Sequence, residues 1–216
     1  KSRVLRISRK ASKLLGVNMP TATTCVKPSG TVSQLVDSAS GVHPRFSQYY
    51  IRRYRIAARD PLFKMMKDMG IPAHPEVGQK KKNATTWVVE FPIKSPEDCI
   101  TRKDVTALEQ LRHYKNLQHS WCEHNASMTV YVREDEWFEV GNWVYQNWDI
   151  INGVSFLPYD GGHYELAPYE EIDHRTYERL IKKLPRIDYK QLSKYELEDN
   201  TQGKAEYACN GDKCEI

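Results

Sequence analysis

The chain has 216 residues, 40% of them apolar and 28% charged, and 32 Lys and Arg against 28 Asp and Glu leave a net charge of +4. That is an ordinary globular composition, long enough for one large domain or two small ones. It excludes a membrane-spanning helix, because no run approaches the roughly 18 apolar residues needed, and so mild a charge makes no case for nucleic acid.

Five cysteines at irregular spacing do not form a secreted disulfide framework, so a reducing cytoplasmic setting is expected. The opening KSRVLRISRKASKLLG lacks the roughly 7–15-residue apolar core of a secretory signal. Residues 2–15 read as a basic amphipathic helix, with Val4, Ile7, Ala11, Leu14 and Leu15 near helical spacing and Gly16 as its stop. Residues 19–26 (MPTATTCV) read as a strand, and residues 27–38 (KPSGTVSQLVDS) as a Pro-Ser-Gly turn leading into a short helix. A loop, GVHPRFSQ, then leads to an extended segment over residues 49–58. A helix over 60–69 has Asp60 as N-cap, Pro61 at its first position and Gly70 beyond its end. Lys80, Lys81 and Lys82 read as a solvated loop.

From residue 85 the order β, α, β, α, β, α is expected: strands over 85–92, 127–132 and 153–158, and helices over 101–121, 135–148 and 169–184. Thr101 and Asp104 supply a capping-box pattern for the first of these helices. Such alternation predicts an α/β layout with parallel strands. Beyond residue 188 the apolar periodicity thins, and a poorly packed tail is expected.

Most of the chemistry lies in KPSGTVS. A Ser-Gly-Thr turn opening a helix offers backbone N–H groups, hydroxyl donors and the positive end of a helix dipole, with Lys27 beside it. It can hold a phosphate, and the same pattern also fits a helix that merely caps its own N-terminus. At the other end, Cys209 and Cys214 sit in YACNGDKCEI, where little can pack around them. They fit a redox pair on a mobile segment, half of a zinc site, or two incidental thiols. C-x₄-C is wider than the usual zinc spacing.

Three segments in order, residues 24–52 (TCVKPSGTVSQLVDSASGVHPRFSQYYIR), 119–137 (HSWCEHNASMTVYVREDEW) and 153–172 (GVSFLPYDGGHYELAPYEEI), resemble the adenosylcobalamin-dependent, class II ribonucleotide reductases, especially their monomeric ribonucleoside-triphosphate reductase branch. The resemblance implies the C-terminal portion of a ten-stranded α/β barrel over residues 1–187, followed by a flexible redox tail over 188–216. It implies substrate-phosphate binding by Ser29, Gly30, Thr31, Val32 and Ser33, mainly through backbone N–H groups. It makes Cys209 and Cys214 the shuttle dithiol that reduces the active-site disulfide and is itself reduced by thioredoxin. Exchange of this kind needs an accessible thiolate, which Lys213 favours. About 20 flexible residues before Cys209 span roughly 25 Å, against a radius of gyration near 17 Å for a compact chain of this size.

The family's Asn-x-Cys-x-Glu pattern around the radical cysteine is absent, since Ser120 stands two positions before Cys122. Cys25 is read as a small buried residue and Cys122 as structural. The segment is therefore expected to need an N-terminal part, and to be inactive without it. Ribonucleoside triphosphate and thioredoxin are the implied partners and adenosylcobalamin the implied cofactor, with no contact to it assignable here. A ribonucleoside-diphosphate reductase, a nucleotide-binding regulatory module and a small thiol-redox protein remain as alternatives.

Other residues have two readings each. His43 either faces the substrate or holds its loop. Arg45, Arg52, Arg53 and Arg55 either neutralise a triphosphate or form a solvated face. His119 and His124, five apart on the sequence, have the wrong spacing for a metal pair on a helix. Tyr159 and the residues after it close a strand either at a site or in a plain turn.

Overall fold

The computed structural model of the chain describes residues 1–30, 32–159, 165–197, 209–210 and 213–214. It divides into two units, one formed by Lys1–Arg45, Ile100–Asp160 and Ala208–Ile216, the other by Phe46–Cys99 and Gly161–Tyr207.

In the first unit, helix α1 (Ser2–Leu15) ends at Gly16 in the left-handed conformation, φ 67°, a geometry glycine adopts without a Cβ penalty. The MPTATTCV segment forms no strand. Its polar groups are taken up by the end of a later helix: Thr23 N–H and Oγ1–H both donate to Glu123 Oε2, and Thr24 O accepts from the Glu123 and His124 amides. A short helix, α2 (Val32–Leu35), follows the Pro-Ser-Gly turn.

The core of this unit is a parallel pair, β4 (Met128–Val132) and β5 (Val154–Pro158), with Val130 opposite Phe156. Helix α4 (Ala107–Ser120) packs on it through Ala107, Leu111 and Tyr114, all fully buried. The crossover between the strands is a 3-10 turn at Glu134–Glu136, helix α5 (Trp137–Gln146) and a second 3-10 turn at Trp148–Ile150. Val140 of α5 is buried in the same core, and Trp143 and Val144 pack against it. Parallel strands need such a crossover, so the β-α-β reading of residues 127–158 holds.

Helix α4 starts later than expected. Thr106 caps it in a full capping box with Glu109. Thr101 and Asp104 instead close a turn of their own, with the Thr101 amide and hydroxyl on Asp104 Oδ2 at 2.8 and 2.7 Å. Both pairs satisfy the Thr-x-x-acid pattern, and the run of good helix formers from Ala107 decides between them.

The second unit departs further from the expected parallel layout. Its sheet is antiparallel, ordered β2-β3-β1-β6, from β1 (Tyr49–Ala57), β2 (Ala73–Pro75), β3 (Thr86–Lys94) and β6 (Tyr169–Glu171). Strand β3 pairs along its length with β1, Arg53 opposite Glu90. The expected helix over 169–184 is split: β6 takes its first residues, and helix α6 (His174–Lys183) starts after an Asp173 cap. Helix α3 (Pro61–Asp68) keeps the predicted Asp60 cap, whose carboxylate accepts from Leu62 N–H at 2.8 Å. Phe63, Met65 and Met66 of α3 bury against Trp87 and Val89 of β3.

The packed chain extends beyond residue 188. A 3-10 helix at Tyr189–Lys194 brings Leu192 and Tyr195 onto this core, and Tyr195 O–H donates to Asp68 Oδ2. The last described elements are two-residue strands, β7 (Cys209–Asn210) and β8 (Lys213–Cys214), paired antiparallel.

Arg53 ties the sheet together. From β1 its guanidinium bonds Glu90 of β3, Glu170 of β6 and the Ala167 carbonyl, while it is only 8% exposed. Burial works against its charge, yet the bonds to Glu170 and Glu90 outweigh it and raise its pKa. Removing one partner of a buried pair costs about 3–5 kcal/mol, and less where the carboxylates reach water, as half-exposed Glu170 does. Arg53→Met is expected to destabilise the chain by about 2–3 kcal/mol in urea unfolding. A change below about 0.5 kcal/mol would show that the pairs contribute nothing.

Candidate functional site

The turn that carries the phosphate expectation is built by serines. Ser40 folds back onto Ser29, eleven residues earlier: its hydroxyl accepts from Ser29 N–H at 2.8 Å and donates to Ser29 O at 2.9 Å. Ser29 Oγ in turn accepts from Ser33 N–H at 2.9 Å, and Ser33 Oγ–H returns a bond to Ser29 O at 3.1 Å. Ser33 is buried, while Val32 is 60% exposed. Gly30 follows Ser29 directly, and Thr31 lies outside the described residues.

The close return needs Gly41. Its φ is +60°, and a Cβ there would meet Pro28 backbone atoms at 3.1 Å. Asp37 leaves α2 with φ 50° and holds Arg45 at 2.7 Å. Lys27, beside the turn, donates to Ser127 Oγ at 2.9 Å.

His43 anchors the loop. Its Nδ1 lies 2.7 Å from Ser40 O, and its Nε2 accepts from Thr129 N–H of β4 at 2.8 Å. Burial pushes its pKa below the ordinary histidine range, with the Ser40 bond acting weakly the other way. Of its two readings, the loop-holding one is what this geometry displays.

Two amides expected to face an anion, those of Ser29 and Ser33, therefore donate to serine hydroxyls here. In this conformation the turn caps its own helix, the second of the two readings its pattern allowed. Serine hydroxyls are exchangeable acceptors, so the same amides can serve a phosphate if the side chains rotate away.

The arginines of the cluster are engaged by groups of their own units. Arg53 holds carboxylates as described, and Arg55 meets Glu76 at 2.7 Å. Arg52, 2% exposed, stacks on the Tyr169 and Tyr54 rings at 4.2 and 4.7 Å. Tyr159, after β5, lies near Arg102 and Arg133, 5.0 and 5.3 Å from its ring centre. Cys122 is buried in the first core, as its structural reading requires, whereas Cys25, expected to be buried, is exposed.

Cys209 and Cys214 fall on β7 and β8 as directly opposed residues. Opposed residues of an antiparallel pair have Cα atoms about 4.5–5.5 Å apart, inside the window of about 4.4–6.8 Å that a disulfide tolerates. Sequence reasoning found the pair by its spacing. It missed Ser40, which no periodicity connects to Ser29.

No protein-family profile matches the chain. Individual proteins do. An adenosylcobalamin-dependent ribonucleoside-triphosphate reductase of Lactobacillus acidophilus is 34% identical over 179 residues, 81% of this chain and 24% of the relative. A probable enzyme of the same name from Dictyostelium discoideum is 32% identical over 218 residues, 97% of this chain and 27% of its own length. A solved B12-dependent, class II ribonucleotide reductase superposes with a TM-score of 0.71 at 29% identity, covering 92% of this chain and 27% of that one. The fold is thus that of one part of a class II ribonucleotide reductase. The chain belongs to the adenosylcobalamin-dependent ribonucleoside-triphosphate reductases as a segment, and spans about a quarter of the length of the relatives it matches.

Gly41→Ala is expected to disturb the return of Ser40 onto Ser29, since the left-handed backbone alone costs about 1–2 kcal/mol with a side chain. Chemical-shift changes at Ser29, Ser33 and Ser40, with the β4 amides unmoved, would report it. An unchanged spectrum at those serines would show that the turn does not need Gly41.

Proposed function

We propose that the chain is the C-terminal segment of a ribonucleoside-triphosphate reductase, which converts ribonucleoside triphosphates to deoxyribonucleotides by radical chemistry with adenosylcobalamin, in the cytoplasm. Its share is to hold substrate phosphate at Ser29, Gly30, Thr31, Val32 and Ser33, and to carry reducing electrons on Cys209 and Cys214. The remaining part of the reductase supplies the other catalytic groups, and thioredoxin supplies the electrons. The observation that carries this reading is a coincidence within one chain. It is homologous to a quarter of such enzymes, it has a serine-rich turn at the start of a helix, and it has two cysteines opposed on paired strands.

The shuttle chemistry balances on the two thiols. One tail thiolate attacks the active-site disulfide, giving a mixed disulfide and releasing a thiolate that takes a proton. The second tail cysteine, losing its proton, attacks the mixed disulfide. An active-site dithiol and a Cys209–Cys214 disulfide result, two electrons having moved. Thioredoxin then reduces the tail disulfide. The opposed strand positions favour the last bond, because they hold the two residues at disulfide distance before it forms.

Among the described residues no group of three or more His, Cys, Asp or Glu side chains could hold a metal ion. No contact to the cobalamin is assigned to this segment. Among the described residues no helix is long and apolar enough to cross a membrane.

The test joins this chain to the rest of the reductase and supplies CTP, adenosylcobalamin, thioredoxin and thioredoxin reductase. Deoxynucleotide is expected only when both parts are present. A Cys209→Ser/Cys214→Ser variant is expected to complete about one turnover from the pre-reduced enzyme and then stop, while the native chain continues. Full multiple turnover by the variant would remove the shuttle role. Tight nucleotide binding by an assembly without reductase activity would point to a regulatory module.

A further inference from the structure

One connection between the phosphate turn and the first core is a relay of hydrogen bonds through one imidazole. Thr129 N–H of β4 donates to His43 Nε2 at 2.8 Å, His43 Nδ1 meets Ser40 O at 2.7 Å, Ser40 Oγ clamps Ser29 N–H and O, and Ser29 Oγ holds Ser33 N–H.

We propose that His43 is the positioning residue of the turn, pinning Ser29 and Ser33 to strand β4 through Ser40. Its importance for substrate rests on the phosphate-binding reading above.

The two ends of the relay select a single form of the ring. A backbone amide can only donate, so Nε2 presents its lone pair to Thr129. A carbonyl oxygen can only accept, so Nδ1 carries the proton towards Ser40. The ring is neutral with hydrogen on Nδ1, and each partner would have to move before the other tautomer formed. Protonation at Nε2 sets two hydrogens head to head at Thr129 and breaks the pin. No other side chain can replace the ring here without supplying both an acceptor and a donor.

The surrounding charges do not drive this change. The charged groups on the neighbouring segments are Lys27, bonded to Ser127, and the Arg45–Asp37 pair. The depressed pKa of His43 comes from burial first, opposed by the Ser40 bond, with no charged side chain contributing. A folded pKa below the unfolded value of about 6.5 means that the pin is in place above about pH 6.5. It is lost as pH falls through the lower folded value.

Amide hydrogen exchange tests the relay residue by residue. Protection factors would be measured for Ser29, Ser33 and Thr129, with Val130 and Leu111 as controls for the fold, in the native chain, His43→Ala and His43→Gln. In His43→Ala, protection of Ser29, Ser33 and Thr129 is expected to fall about tenfold, the factor of one lost hydrogen bond, while the controls hold. His43→Gln keeps an acceptor and a donor without titrating. It is expected to restore protection and to remove the drop that the native chain shows as the pH is lowered from 7.5 to the most acidic value at which Val130 and Leu111 stay protected.

If His43→Ala unfolds the chain, the pH series on the native chain and His43→Gln still decides. Constant protection of Ser29 and Ser33 over that whole pH range in the native chain overturns the proposal. So does unchanged protection in a folded His43→Ala. The KM for CTP in the joined reductase is measured in parallel. A several-fold rise in KM with His43→Ala, at little change in kcat, ties the pin to substrate binding. A loss of protection with KM unchanged leaves the pin standing and removes the phosphate-binding reading of the turn.

Discussion

Two parallel strands cannot be joined by a tight turn, and this constraint shapes the first unit. Between β4 and β5 the chain must cross over, and α5 with its flanking 3-10 turns makes that crossing. The crossover helix and α4 then bury one face of the pair, with Leu111, Tyr114, Val130 and Val132 inside. Tyr114 does more than fill space. Its hydroxyl donates to Asn125 and accepts from Asn152 N–H, so the loops before β4 and before β5 meet at one atom. A Cβ at Gly153 would come within 2.9 Å of Asn125 Nδ2, so that side chain would have to shift.

From this frame the candidate site inherits its position. Thr129 lies in β4, and its amide goes to His43 instead of to another strand. The loop from Pro28 to Arg45 is thereby tied to a strand at His43, while Val42 is buried in the first core and the Arg45 backbone bonds Ile100 and Arg102. Within the loop, bonds among its serines and the Arg45–Asp37 pair hold its shape. A turn built this way keeps its shape while its hydroxyl acceptors stay exchangeable. That combination suits a site that takes up and releases an anion in each cycle.

The second unit uses charge for a different purpose. Arg52 and Arg53 are adjacent on β1 and point to opposite faces of the sheet. Arg52 stacks on tyrosines, and Arg53 binds the carboxylates of the two neighbouring strands. Four basic residues close together in sequence left two readings open, a patch for a triphosphate and a solvated face. Alternation along a strand separates Arg52 from its neighbours, and internal carboxylates occupy Arg53 and Arg55.

Local chemistry in the sequence determined the strongly patterned features: α1 with its Gly16 stop, the Asp60 cap with Pro61, the β4-α5-β5 order, the Pro-Ser-Gly turn and the pairing of Cys209 with Cys214. Each rests on contacts within a few residues, so short-range spacing records it. The sequence also carried the family, through three motifs in order. Tertiary structure alone decided the rest. Strand β6 is three residues long and exists only because β1 offers an edge more than a hundred positions earlier, with Tyr50 opposite Glu171 and Arg52 opposite Tyr169. The segment over 19–26 has strand-like residues but finds its partners in Glu123 and Trp121, so it stays irregular. Ser40 reaches Ser29, and His43 reaches Thr129 across 86 positions, by the folding back of a loop that no periodicity marks.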